Sequence, residues 1–142
     1  ATADRWDLSG NRVSPVVSGY FRGGADVETT LRGNVRSCQH SMTTAYGALS
    51  FSSLDLNTTV VGHSLAVPWY IAPVGILRAL YPMGDAVASQ VAGDFGTVMT
   101  LSTPSGTPLE SVTESSDSTC WFQLYLCGGR ETSLSVIERA KR

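Results

Sequence analysis

Gln123 stands in an otherwise apolar run, Trp121 to Leu126, and a side-chain amide carried into a core needs hydrogen-bond partners. Two other places repeat the arrangement: Val74-Gly75 closes the apolar run that begins at Val67, and Ser102-Thr103 follows Thr97–Leu101. Gln123 to Tyr125 is the third. If the three runs are strands, these residues sit at their C-terminal ends, where α/β barrels place their chemistry. Other kinds of chemistry find little support. The histidines, His40 and His63, both precede the first of these runs, and His63, beside Gly62, reads as a solvated turn residue. Cys38, Cys120 and Cys127 show neither a CxxC nor a zinc-ligand spacing, so they read as free thiols and no metal site is expected.

The elements that would carry these residues alternate. After the run Val67–Val74, a helix starts at Gly84-Asp85, with Ala86, Val87, Ala88, Val91, Ala92 and Phe95 as its apolar stripe and Gly96 as its terminator. The strand Thr97–Leu101 leads to Thr107-Pro108-Leu109-Glu110, which has a capping threonine, a proline at the first helical position and a glutamate at the third. The strand Cys120–Leu126 leads through Gly128-Gly129 to a helix over Thr132–Arg142, with Leu134, Val136 and Ile137 on one side. Three βα units imply an α/β fold with parallel strands, either doubly wound or a barrel. Ala72-Pro73-Val74-Gly75-Ile76-Leu77 lacks the glycine spacing of a dinucleotide-binding turn. Upstream, residues 1–35 read as an irregular, glycine-punctuated extension. Ala48–Leu54 and Thr58–Leu65 lean to strand, the latter folding back at Gly62-His63. The expected division is an extension with short strands, 1–66, and βα units over 67–142.

The bulk properties exclude several classes. With 42% hydrophobic and 15% charged residues the chain composes as a globular domain. A net charge of −2 without a Lys/Arg stripe argues against nucleic acid or an anionic membrane surface. The longest apolar run, Leu65–Leu77, is too short for a transmembrane helix and holds Pro68 and Pro73. Ala1–Val13 lacks the apolar stretch of a secretory signal, so a cytoplasmic setting is expected.

Six segments, in order, resemble the FMN-dependent 2-hydroxy-acid oxidases and dehydrogenases, the family of glycolate oxidase, lactate oxidase, lactate monooxygenase and mandelate dehydrogenase. They are Gly19–Ala25 with Thr30–Asn34, Asp55–Gly62, Pro68–Gly75, Tyr81–Asp85, Thr100–Thr103 and Trp121–Tyr125. The resemblance implies the N-terminal portion of a (β/α)₈ TIM barrel, a flavoprotein with FMN as cofactor, a small 2-hydroxy-acid substrate and a homo-oligomer in the full-length form. It implies that the backbone of Ala72, Pro73, Val74 and Gly75 lies against the flavin, that Ser102 and Gln123 hydrogen-bond the ring, that Tyr20 binds the substrate carboxylate, and that Tyr125 contacts the substrate hydroxyl and supports the reaction. For Gln123 a backbone carbonyl is the other candidate partner. Tyr20 and Tyr125 also read as half-buried tyrosines, and Ser102 as a turn residue.

The sequence departs from the family in three places. The family's base is a histidine far downstream of the third strand, and neither His40 nor His63 matches it. Tyr81 and Asp85 stand where the family has histidine and glutamate, and Thr43–Leu49 replaces a stretch containing proline and arginine. The leading expectation is therefore oxidation of an (S)-2-hydroxy acid to a 2-oxo acid in the intact enzyme, this chain alone turning over little or nothing. The alternative is a non-catalytic α/β remnant that pairs through open sheet edges.

Overall fold

The computed structural model describes residues 12–42, 44, 47, 50 and 52–141. The expectations for residues 1–11 lie outside them, and those for 43–49 and 48–54 lie partly outside. The chain forms two compact units, Ala1–Leu54 and Asp55–Arg142.

In the first unit, composition predicts irregular chain, and the structure has helices instead. Helix α1 spans Pro15–Arg22 and α2 spans Thr29–His40. Ser14 caps α1 by accepting the Val17 N–H at 3.4 Å, with Pro15 in the first turn where its missing N–H is not needed. Glu28 turns the chain into α2 with a positive φ, and its carboxylate accepts the Gly24 N–H at 3.1 Å. Ser14-Pro15 is the helix signal in this stretch, masked by the surrounding glycines.

The second unit opens with a hairpin, β1 Thr58–Val60 and β2 His63–Leu65, paired antiparallel. The turn is Val61-Gly62, one residue earlier than the dipeptide read from sequence, and His63 opens β2 opposite Val60. Both turn residues have positive φ, +51° and +80°, as a two-residue turn matched to strand twist requires.

A parallel sheet follows. β3 spans Met99–Ser102 and β4 Cys120–Gln123, in register Met99↔Cys120 through Ser102↔Gln123. The expected first strand, 67–74, contributes a single bridge: Ile71 donates its N–H to Val98 O and accepts from Thr100 N–H, both at 2.9 Å. Pro68 and Pro73 bracket it, and a residue without an N–H cannot extend a ladder.

Helix α3 spans Gly84–Asp94, α4 Leu109–Thr113 and α5 Gly129–Ala140. The core is Ala92, Met99, Leu101 and Val112, with Ile71, Ala88, Leu109, Cys120 and Phe122 packed on it. The predicted stripe on α3 coincides with its buried face only in part: Ala92 is in the core and Ala88 packs on it. Asp85, Ser89 and Ala92 are buried, while Val91 and Phe95 are exposed; small residues one turn apart let the helix lie close to its neighbours, and Phe95 instead meets Trp69 at 5.9 Å. The predicted capping box also does not form. Pro108 occupies the cap of α4 without a side-chain bond, Thr107 turns to Asp85, and Glu110 pairs with Arg139 at 2.9 and 2.8 Å. On α5, Ser133 is buried and Leu134 exposed, so the apolar side expected there is carried by half-buried Val136 and Ile137.

This packing makes two outcomes measurable. Val61 is β-branched in left-handed backbone and 82% exposed, so Val61→Asn relieves strain without loss of packing and raises stability by about 1 kcal/mol; a lower melting temperature would contradict the turn. Cys38 and Cys127 are exposed free thiols. Burial pushes the Cys120 thiol up from its ordinary value, against a backbone hydrogen bond from Leu101 and with nearby Asp85 raising it further. Less thiolate and less access both slow alkylation. Iodoacetamide with mass-spectrometric mapping should mark Cys38 and Cys127 in the native chain and Cys120 chiefly after denaturation.

Candidate functional site

Side chains alternate across a strand, so the parallel sheet has two unlike faces. Met99, Leu101, Cys120 and Phe122 belong to the core cluster with Ala92 of α3 and Val112 of α4. Thr100, Ser102, Trp121 and Gln123 therefore lie on the other face. Tyr70 joins them there, edge-on to Trp121 at 5.1 Å, as does His63 at 6.0 Å. Three residues past the paired Ile71, Met99 and Cys120 stand Val74, Ser102 and Gln123, so the candidate residues share one end of the sheet.

That end is cross-braced. Ser102, 4% exposed, donates its hydroxyl to Gln123 Oε1 at 3.0 Å, and the Thr103 N–H donates to the same oxygen at 3.4 Å. Thr103 Oγ1 donates to the Gln123 carbonyl and accepts the Tyr125 N–H at 2.8 Å. The exit loop of the first run is tied in by backbone: Ile76 N–H donates to Pro104 O at 2.9 Å and Arg78 Nη1 to Gly106 O at 3.0 Å. Gly106 is held tightly, since a Cβ there would lie 2.8 Å from Arg78 Cβ.

Ser102 and Gln123 thus bond each other directly, Tyr125 joins through Thr103, and the 72–75 segment joins through Ile76. Ala72, Pro73 and Val74 are exposed, Gly75 is half-buried, and Tyr125 is 54% exposed. Tyr20 belongs to the first unit, on α1, half-exposed with its ring edge-on to Phe21 at 5.0 Å. Thr103, placed at a strand exit by the sequence but given no role there, is the central residue; a threonine after a strand is common, and the bonds on both sides of its hydroxyl reveal what it does.

The donor set suits a flat, polar ring. Both bonds on the Gln123 side chain fall on Oε1, so its amide nitrogen has two donors and no protein acceptor among the described residues. Thr100 Oγ1 on the same face is buried without a partner. A metal ion has no such support, as no group of three His, Cys, Asp or Glu that could hold one occurs among the described residues. A larger hollow, about 550 Å³, lies at the opposite end of the sheet, lined by Gly96, Thr97 and Ser116–Thr119 among others. Strand N-terminal ends in barrels serve stability, so the volume there does not outweigh the braced donors at the exits. No helix among the described residues is long and apolar enough to cross a membrane.

Comparison with known proteins bears on the family and the fold. The chain is 36% identical over 130 residues to an L-lactate dehydrogenase of Xanthomonas campestris pv. campestris (strain B100), covering 92% of the chain and 34% of that protein. It is 33% identical over 141 residues to an L-lactate dehydrogenase of Ectopseudomonas mendocina, covering 99% and 37%. The chain therefore spans about a third of the length of these curated relatives. A soluble mutant of the membrane-associated (S)-mandelate dehydrogenase from Pseudomonas putida superposes with a TM-score of 0.88 at 29% identity, over 98% of this chain and 40% of that one. The parallel βα units are accordingly part of a (β/α)₈ barrel. The profile of the FMN-dependent dehydrogenases matches residues 10–142, and the chain belongs to that family.

Proposed function

We propose that this chain forms the first flavin-facing wall of an enzyme that oxidises an (S)-2-hydroxy acid to a 2-oxo acid. The observation that carries the reading is the Gln123 amide: half-buried at a strand exit, fixed through its oxygen by Ser102 and Thr103, with both N–H donors left over. These donors meet solvent in the open chain; covering them without partners would be costly, and a heteroaromatic ring edge with carbonyl and nitrogen acceptors would cover and pair them. FMN, when bound, supplies the two-electron acceptor.

The residues divide the work. Gln123 donates to the ring edge, and Ser102 and Thr103 hold the Gln123 oxygen, leaving the amide nitrogen for that bond. The exposed backbone of Ala72, Pro73, Val74 and Gly75 offers a flat surface at the neighbouring exit. Tyr125, its backbone anchored by Thr103, presents a phenol to the substrate hydroxyl. Among the described residues, proton abstraction has no candidate at these exits. His63 opens β2 with its ring against Trp121, and His40 ends α2. Substrate oxidation by the isolated chain is therefore expected to be negligible.

Titrating FMN into the chain and following flavin fluorescence tests the cofactor wall. Gln123→Leu should weaken binding about tenfold or more, the effect of removing paired donors from a desolvated site; equal affinity for both forms would refute the assignment. In anaerobic mixtures of chain, FMN and L-lactate the flavin should stay oxidised. Rapid bleaching would show that a base is present and overturn the inactive-alone reading.

A further inference from the structure

We propose that Asp85 is a positioning residue whose buried carboxylate latches the loop between β3 and α4 through Thr107, holding Thr103 where it fixes Gln123. The purpose of the latch rests on the flavin-facing reading above; its geometry does not.

Asp85 has no exposed surface and is the one charged residue among the buried ones described. Its Oδ2 accepts the Thr107 hydroxyl at 3.0 Å, while Oδ1 has no partner, nor has Ser89 Oγ one turn along the same helix face. A buried carboxylate with an unsatisfied oxygen lowers stability, and a well-packed apolar residue in such a place is commonly neutral or better. The place of Asp85 in the first turn of α3, where the helix dipole favours an anion, offsets part of that cost, but fold stability alone does not account for a fully buried carboxylate aimed at this loop. Its hydrogen bond to the loop does.

From Thr107 the connection runs back to the site in short steps. Ser105 Oγ accepts the Thr107 N–H at 2.9 Å and donates to the Thr107 carbonyl at 2.6 Å, and the Ser105 N–H donates to Ser102 O at 3.0 Å. The turn is thereby closed onto the last residue of β3. Thr103 lies inside this closed turn, with its N–H and its hydroxyl both directed to Gln123. Ile76 and Arg78 hold the same loop from the other side, at Pro104 and Gly106. Releasing Thr107 leaves those two bonds in place but removes the anchor from the helix side.

Amide hydrogen exchange on the 142-residue chain tests the latch without any flavin. Thr107→Val, which keeps the shape and removes the hydroxyl, should speed exchange at the Thr103 and Tyr125 amides on the order of tenfold, leaving the β3–β4 ladder amides unchanged. Thr107→Ser, which restores the hydroxyl, should return both amides to the parent rates. Unchanged Thr103 and Tyr125 amides in Thr107→Val would overturn the proposal. So would equal acceleration of the ladder amides, the signature of a merely structural residue, or a failure of Thr107→Ser to rescue. Because no cofactor enters the measurement, its failure removes the latch alone, whereas loss of the Gln123 effect on FMN affinity removes the flavin reading and leaves the latch standing.

Discussion

The alternation of side chains along β3 and β4 is the constraint from which the rest follows. One set, Met99, Leu101, Cys120 and Phe122, is drawn onto α3 and α4 by the burial of apolar surface. Once that set faces the helices, a period of two leaves Thr100, Ser102, Trp121 and Gln123 no choice of face. A register slip of one residue would send Leu101 and Phe122 to the polar side and Ser102 and Gln123 into the helices, where their polar groups would lose their partners. The hydrophobic core therefore sets the position of the candidate site, and the hydrogen bonds at the strand exits refine it.

Much of this is legible in the amino-acid order. The βα alternation follows from short apolar runs ended by polar or glycine residues, because strand burial and loop chemistry are both local signals; which residues at those ends bear on a flavin comes from the resemblance to the FMN-dependent family. The illegible parts have physical causes too. Pro68 and Pro73 belong to an apolar run that reads as strand, yet they reduce pairing to Ile71. The buried side of α3 carries Asp85 and Ser89, so an apolar stripe points to Val91 and Phe95 instead. Ser14-Pro15 starts a helix inside a stretch whose glycines argue for loop. In each case a single residue's backbone chemistry, or a close approach between elements, outweighs the average over a window.

The two ends of the sheet differ in what they offer. At the strand N-termini the hollow is wide, and its walls include serine and threonine side chains with partners close at hand, as in Ser116 with Ser118 at 2.9 Å and Ser118 Oγ on the Ser89 carbonyl at 3.4 Å. At the exits the side chains are oriented, and the Gln123 amide carries donors without protein acceptors among the described residues. Binding specificity comes from a few placed polar groups more than from volume. On that ground the proposed flavin wall is set at the exits and not at the hollow.

Thr107 shows how such orientation is obtained. Its hydroxyl has two uses: capping α4, as Thr107-Pro108-Leu109-Glu110 suggests, or serving the Asp85 carboxylate. A side-chain cap contributes about 1 kcal/mol, and less is gained on a helix of only five residues. A buried carboxylate deprived of its donor loses about 1–3 kcal/mol or more. The carboxylate's demand is the stronger of the two, and the hydroxyl goes to Asp85 at 3.0 Å. Glu110, no longer part of a capping box, turns outward to Arg139, a half-exposed pair worth about 0–1 kcal/mol. Local helix propensity gives way because the side-chain orientation that donates the hydroxyl proton to Asp85 does not also bring the oxygen to the first N–H groups of α4, and the outcome fixes a loop rather than a helix end.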